Sequence, residues 1–105
     1  MALRGHIIVP TEPEGSDYVI HNIEKKASAS LGGYSEYEGS GGWRDPDNGV
    51  VEEDHVRIVI NCPDDHEMSR DQFVEHLKIE AEYVKDILNE ECVMVEVEEV
   101  DLHFV

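Results

Sequence analysis

Residues 39–62, GSGGWRDPDNGVVEEDHVRIVINC, decide how the rest of the chain is read. At their centre stands Asp45-Pro46-Asp47-Asn48-Gly49, where proline presets one turn dihedral and Asn-Gly tolerates positive φ, so the chain reverses there at little cost. The two flanking arms are therefore the strands of one long β-hairpin. The second arm ends in Val56-Arg57-Ile58-Val59-Ile60, whose β-branched density and alternation mark a central strand. In the first arm, Gly39-Ser40-Gly41-Gly42 predicts a bulge or bend instead of a flat ladder.

Upstream of the hairpin, Tyr34-Ser35-Glu36-Tyr37-Glu38 alternates and begins the first arm. Before it, Val19, Ile20, Ile23, Ala27 and Leu31 recur at a helical period, with Ser16 or Asp17 as the expected N-cap and Gly32-Gly33 as the stop. Residues 4–9 form the first strand, ended by Pro10 and Pro13. Downstream, Ser69 with Gln72 three positions later is a capping box that opens a second helix, and Phe73, Leu77, Ala81, Val84 and Leu88 form its buried stripe. Residues 92–97 alternate as a fourth strand. The apolar parity then moves from positions 93, 95 and 97 to 100, 102 and 104, which predicts a bulge or an extra C-terminal strand.

The order βαββαβ fits one α+β domain over residues 1–105. It is a ferredoxin-like sandwich, with two helices on one face of a four-stranded antiparallel sheet of spatial order 4-1-3-2. The alternative is another α+β arrangement in which the last strand pairs with another subunit. At 105 residues the chain can bury one core.

Twenty-five acidic residues against eight basic ones give a formal charge of −17. That excludes a nucleic-acid groove, which needs a basic face, and disfavours an anionic membrane surface. The acids are interleaved with periodic apolar positions, the pattern of a folded domain with a solvated acidic surface. The composition resembles that of haloarchaeal cytosolic proteins, which implies stability that rises with salt. The apolar run in MALRGHIIVP is too short for a signal peptide, so a cytoplasmic or virion location is expected. Cys62 and Cys92 match neither a C-x-x-C nor a zinc pattern and are expected to be reduced.

The run Leu31-Gly32-Gly33-Tyr34, Glu38-Gly39, Gly42-Trp43-Arg44-Asp45 and Gly49-Val50-Val51-Glu52-Glu53 resembles a pattern in small bacterial and phage proteins with a Gly-x-Trp-x-Asp hairpin. The resemblance covers most of the chain from Ser16 onward. It implies the ferredoxin-like fold and a viral or mobile-element origin, and it carries over no active site.

Local chemistry is sparse. Asp45-x-Asp47-Asn48-Gly49 fails the EF-hand pattern, because Arg44, Pro46 and His55 would fall at ligand positions, so it reads as an acidic turn. Cys62 with His66 has the residue types of a nucleophile and base, but Cys62 continues an apolar strand and reads as buried. His76 and Glu80 share a helix face with no third ligand and read as a solvated pair. No metal and no cofactor is expected.

Strand parity is more informative. It sends Ile7, Val9, Val56, Ile58, Ile60, Val93, Val95 and Val97 toward the helices, and leaves His6, Ile8, His55, Arg57, Val59, Met94 and Glu96 on the opposite, open face. His6, Trp43, His55, Arg57, Met94 and Glu96 are accordingly the expected binding residues. The expected function is a non-enzymatic binding or assembly module, oligomeric through self-association or other subunits, acting through the open face and the Trp43 hairpin. Two alternatives stand beside it: a binder of a small metabolite or signalling nucleotide whose anionic group pairs with Arg57, and a dimeric enzyme using His6 or His55 as acid or base.

Overall fold

The computed structural model describes residues 1–105. Its elements are β1 (Ala2–Pro10), α1 (Ser16–Leu31), β2 (Ser35–Asp45), β3 (Gly49–Cys62), α2 (Arg70–Leu88) and β4 (Val95–Val100). The strands form one antiparallel sheet in the order β2-β3-β1-β4. Both helices lie on one face, giving the α+β, ferredoxin-like arrangement that the element order predicts.

Register explains the core. Ile7 stands opposite Ile58 and Val95, and Val9 opposite Val56, so their side chains share the helix side of the sheet. There they meet Val19, Ile23 and Ala27 of α1 and Phe73, Leu77 and Val84 of α2 in one apolar cluster. Gly5, between Ile60 and Val97, lets α2 approach closely: a Cβ at that position would collide with Leu77 and lie 3.0 Å from Phe73 Cζ.

Several local expectations need correction. The N-cap of α1 is Gly15, in the left-handed region at φ 93°, and Ser16 is the first helical residue. Its hydroxyl turns back to donate to the Pro13 carbonyl at 2.7 Å, so it cannot cap the helix. The glycine run in β2 forms neither bulge nor bend, because every residue from Ser35 to Asp45 pairs in register with β3. The reason is steric. Gly39 and Gly41 lie beneath the His55 ring, and a Cβ on Gly39 would come within 2.9 Å of His55 Nε2.

β4 starts at Val95, later than expected, and residues 101–105 form no extra strand. The Ser69–Gln72 capping box is present, and Asn89 ends α2 in the left-handed region at φ 55°. Both cysteines are free, Cys62 buried and Cys92 exposed. No helix is long and apolar enough to cross a membrane.

Beyond the helices, β2 and β3 continue as a two-stranded ribbon, and the molecule measures 46 × 26 × 24 Å. β2 contributes no buried residue. At the tip, Asp45 accepts from the Asp47 backbone N–H at 2.9 Å and from the Asn48 amide at 3.1 Å. These hydrogen bonds hold its carboxyl below the usual aspartate range and fix the acidic turn.

Candidate functional site

Two polar regions lie on opposite faces of the sheet. On the open face, cross-strand register sets Tyr37, Arg57 and Ile8 in one row and Val59, His6 and Glu96 in the next. Arg57 Nη1 donates to His6 Nδ1 at 3.1 Å and lies 3.6 Å from Glu96. Arginine can only donate, so His6 Nδ1 carries no proton and Nε2–H donates to Glu98 at 3.1 Å. Three of the expected binding residues, His6, Arg57 and Glu96, thus form one network, with Glu98 added. Both nitrogens of His6 and the near side of Arg57 are already engaged within it.

The other three expected residues stand apart. His55 lies over Gly39 and Gly41. Trp43 is further out, opposite Val51 on the ribbon, and is half exposed. Met94 is exposed, and its carbonyl accepts from the Ile8 N–H at 3.1 Å. Strand parity brings five of the six to one face, with Trp43 on the hairpin, but tertiary structure joins only three.

The second region is a cleft of about 720 Å³ on the helix side, where α1 passes over the base of the ribbon. Its walls carry Asp17, His21 and Glu24 from α1, Glu36 and Glu38 from β2, and Asp54 and His55 from β3, with Ile20 and Val56 as the apolar floor. Glu24 is 9% exposed, and its Oε2 has no hydrogen-bond partner. Burial, reinforced by hydrogen bonding to Glu36 and by its charge, pushes the Glu24 carboxyl up to about 7. The Glu24 carboxyl thus keeps its proton up to near neutrality.

The sequence reading missed this pair, although α1 holds a signal for it. Glu24 follows Ile20 by four positions and precedes Ala27 by three, so a carboxylate interrupts the apolar stripe. The same signal marks Glu80 in α2, which is 5% exposed and 3.5 Å from Lys26 Nζ, so the expectation of a solvated His76–Glu80 pair is wrong for Glu80. Lys26 also sits 4.9 Å from the centre of the Tyr83 ring, and Asn22 donates to the Tyr83 hydroxyl at 2.9 Å. These contacts join the two helices.

Cys62 and His66 do not form a catalytic couple. His66 Nε2 is 3.1 Å from the Ser30 carbonyl and Nδ1 accepts from the Met68 N–H at 3.2 Å, while burial pushes the Cys62 thiol up. A thiol held neutral is a poor nucleophile.

Fold and site together define a small α+β protein with an acidic cleft at the edge of its helix layer. No family model matches the chain, and a search of curated proteins returned no match. Among solved structures it is similar to a phage SAM lyase in complex with S-methyl-5'-thioadenosine, with a TM-score of 0.71 at 21% identity over 93% of this chain and 81% of that one. It is also similar to a phage SAM lyase in the apo state, with a TM-score of 0.63 at 18% identity over 92% and 78% of the two chains. At such identity the likeness establishes the fold. The expected non-enzymatic binding or assembly module is overturned, because both of these solved structures, matched along nearly the whole of this chain, are those of an enzyme.

Proposed function

We propose that this protein binds S-adenosylmethionine and cleaves it as a lyase, releasing S-methyl-5'-thioadenosine. The observation that carries this reading is the likeness, over 93% of the chain, to a SAM lyase holding that thioether. The electrostatics agree with it. S-Adenosylmethionine carries a sulfonium and an ammonium, and a chain of charge −17 with a cleft walled by carboxylates attracts such a cation. A volume of about 720 Å³ falls in the range of small-molecule sites.

Release of S-methyl-5'-thioadenosine requires the bond between sulfur and the methionine γ-carbon to break, with both electrons staying on sulfur. The four-carbon fragment then closes on its own carboxylate as a lactone, or loses a β-proton to a base as an alkene. Both outcomes balance without water or an oxidant, and the product distinguishes them. The test is to incubate the purified protein with S-adenosylmethionine in dilute buffer and in molar KCl, and to follow products by mass spectrometry. S-Methyl-5'-thioadenosine formed in proportion to protein supports the reading, and no formation above the protein-free control in either buffer overturns it. Binding of the thioether without turnover would instead favour the small-ligand binder.

Half-buried Ile8 and exposed Met94 beside the His6–Arg57 network support self-association through the open face. Light scattering after size exclusion tests this, and a monomer at all salt concentrations would contradict it. The phage source of the solved relatives supports a virus-encoded chain.

A further inference from the structure

Glu24 is the most unusual ionisable group of the molecule. Its side chain is 9% exposed, one carboxylate oxygen has no partner, and the group forms part of the wall of the cleft. An orphaned oxygen on a buried carboxyl costs free energy in the empty protein, and because this oxygen is sealed from solvent, a rotation of the carboxyl toward a donor held in the cleft would be what removes that cost. Glu36 lies beside it from β2, so two carboxyls converge on one spot. Asp17 and His21 on α1, Glu38 on β2 and Asp54 and His55 on β3 are the other titratable groups of the walls.

We infer that Glu24 and Glu36 are the seat of the substrate's α-ammonium group. This rests on the lyase reading and gives the cleft its polarity. The sulfonium is a poor occupant of the same place. Its positive charge disappears as the carbon–sulfur bond breaks, so carboxylates beside it would stabilise the bound substrate more than the transition state and slow the reaction. The ammonium keeps its charge from substrate to product. Carboxylates there hold the reactant without opposing the chemistry, and an –NH3⁺ supplies three donors to a site that lacks them.

Occupation displaces a proton. The free protein holds Glu24 protonated up to a pH of about 7, whereas the ammonium requires the carboxylate form. Ligands carrying the ammonium therefore bind more tightly as pH rises toward 7, and ligands without it do not.

Two probes separate these cases. S-Adenosylhomocysteine keeps the ammonium but has a neutral sulfur, and S-methyl-5'-thioadenosine has neither charge. Calorimetric titrations at fixed salt should show the affinity for S-adenosylhomocysteine rising by more than about tenfold from pH 5.5 to 7.0, the linkage expected for one released proton. The heat should depend on the buffer's ionisation enthalpy in proportion to that proton. Affinity for S-methyl-5'-thioadenosine should stay flat. Glu24→Gln should remove the slope for S-adenosylhomocysteine, and a His21→Asn, His55→Asn double variant should retain it. The inference is overturned if both probes share one slope, if wild type releases no proton, if Glu24→Gln keeps the slope, or if the histidine variant loses it. Turnover of S-adenosylmethionine alongside any of these results leaves the lyase reading standing, whereas absence of both binding and turnover removes the reading and the inference together.

Discussion

The helix-covered half of the sheet and the outstretched β2–β3 ribbon are built by different means. In the covered half, Ile7, Ile58, Phe73 and Leu77 are fully buried, and the strands are held by what lies across them. In the ribbon, β2 exposes all but its last residue, and what holds it is the ladder to β3 and the Asx-stabilised turn. Apolar burial supplies most of the stability of a domain, so the first half sets whether the chain folds. The second half is free to carry carboxylates. The cleft lies where the two meet, and there a carboxyl is desolvated by one half while facing the charge of the other.

The largest test of this division is Phe73→Ala, which removes a fully buried ring from the core and should cost about 3–5 kcal/mol in denaturant unfolding. Trp43→Ala, on the ribbon, should stay within about 0.5 kcal/mol of wild type. Equal losses would mean that the ribbon carries as much of the fold as the core.

Next in size is the junction itself. The Glu24 carboxyl is raised in the folded state from the ordinary 4.5 to about 7, so folding favours its neutral form. That contribution is fully present below pH 4.5 and is lost as pH rises through about 7. Glu24→Gln, which cannot ionise, should match wild type near pH 4. At pH 8 it should be the more stable by up to about 3 kcal/mol, from about 1.36 kcal/mol for each pH unit between the two values. A wild-type advantage at pH 8 would show that the ionised carboxylate has a partner in the empty protein.

Two glycines sharpen the contrast on a smaller scale. Gly5→Ala drives a methyl into Leu77 and Phe73 and should cost about 1–3 kcal/mol, since packed cores tolerate added volume poorly. Gly39→Ala meets only the far end of the His55 side chain, which can swing aside, and should change stability by less than about 0.5 kcal/mol.

Arg57→Ala should have the smallest effect on folding, about 0–1 kcal/mol, because its pair with Glu96 is solvent-screened. Any larger consequence should appear in self-association. An unfolded Arg57→Ala variant would show that the open-face network holds the sheet together.

The sequence by itself determined the elements, their order and the two faces of the sheet. Alternation along residues 56–60 placed Ile58 in the core and Arg57 on the open side, and the Ser69–Gln72 box and Gly32 marked helix ends, because periodicity and capping are local properties of the backbone. Local rules also misled: a glycine run reads as a bend when its neighbours are unknown, and Ser16 reads as a cap until its hydroxyl is seen to reach Pro13. Only tertiary structure decided that β2 runs straight, that His6 is held between Arg57 and Glu98, and that Glu24 meets Glu36. Those two glutamates stand on different elements and look like two more acids among 25. What distinguishes Glu24 is its desolvation and the neighbouring Glu36, and both arise only when α1 is laid over the base of the ribbon.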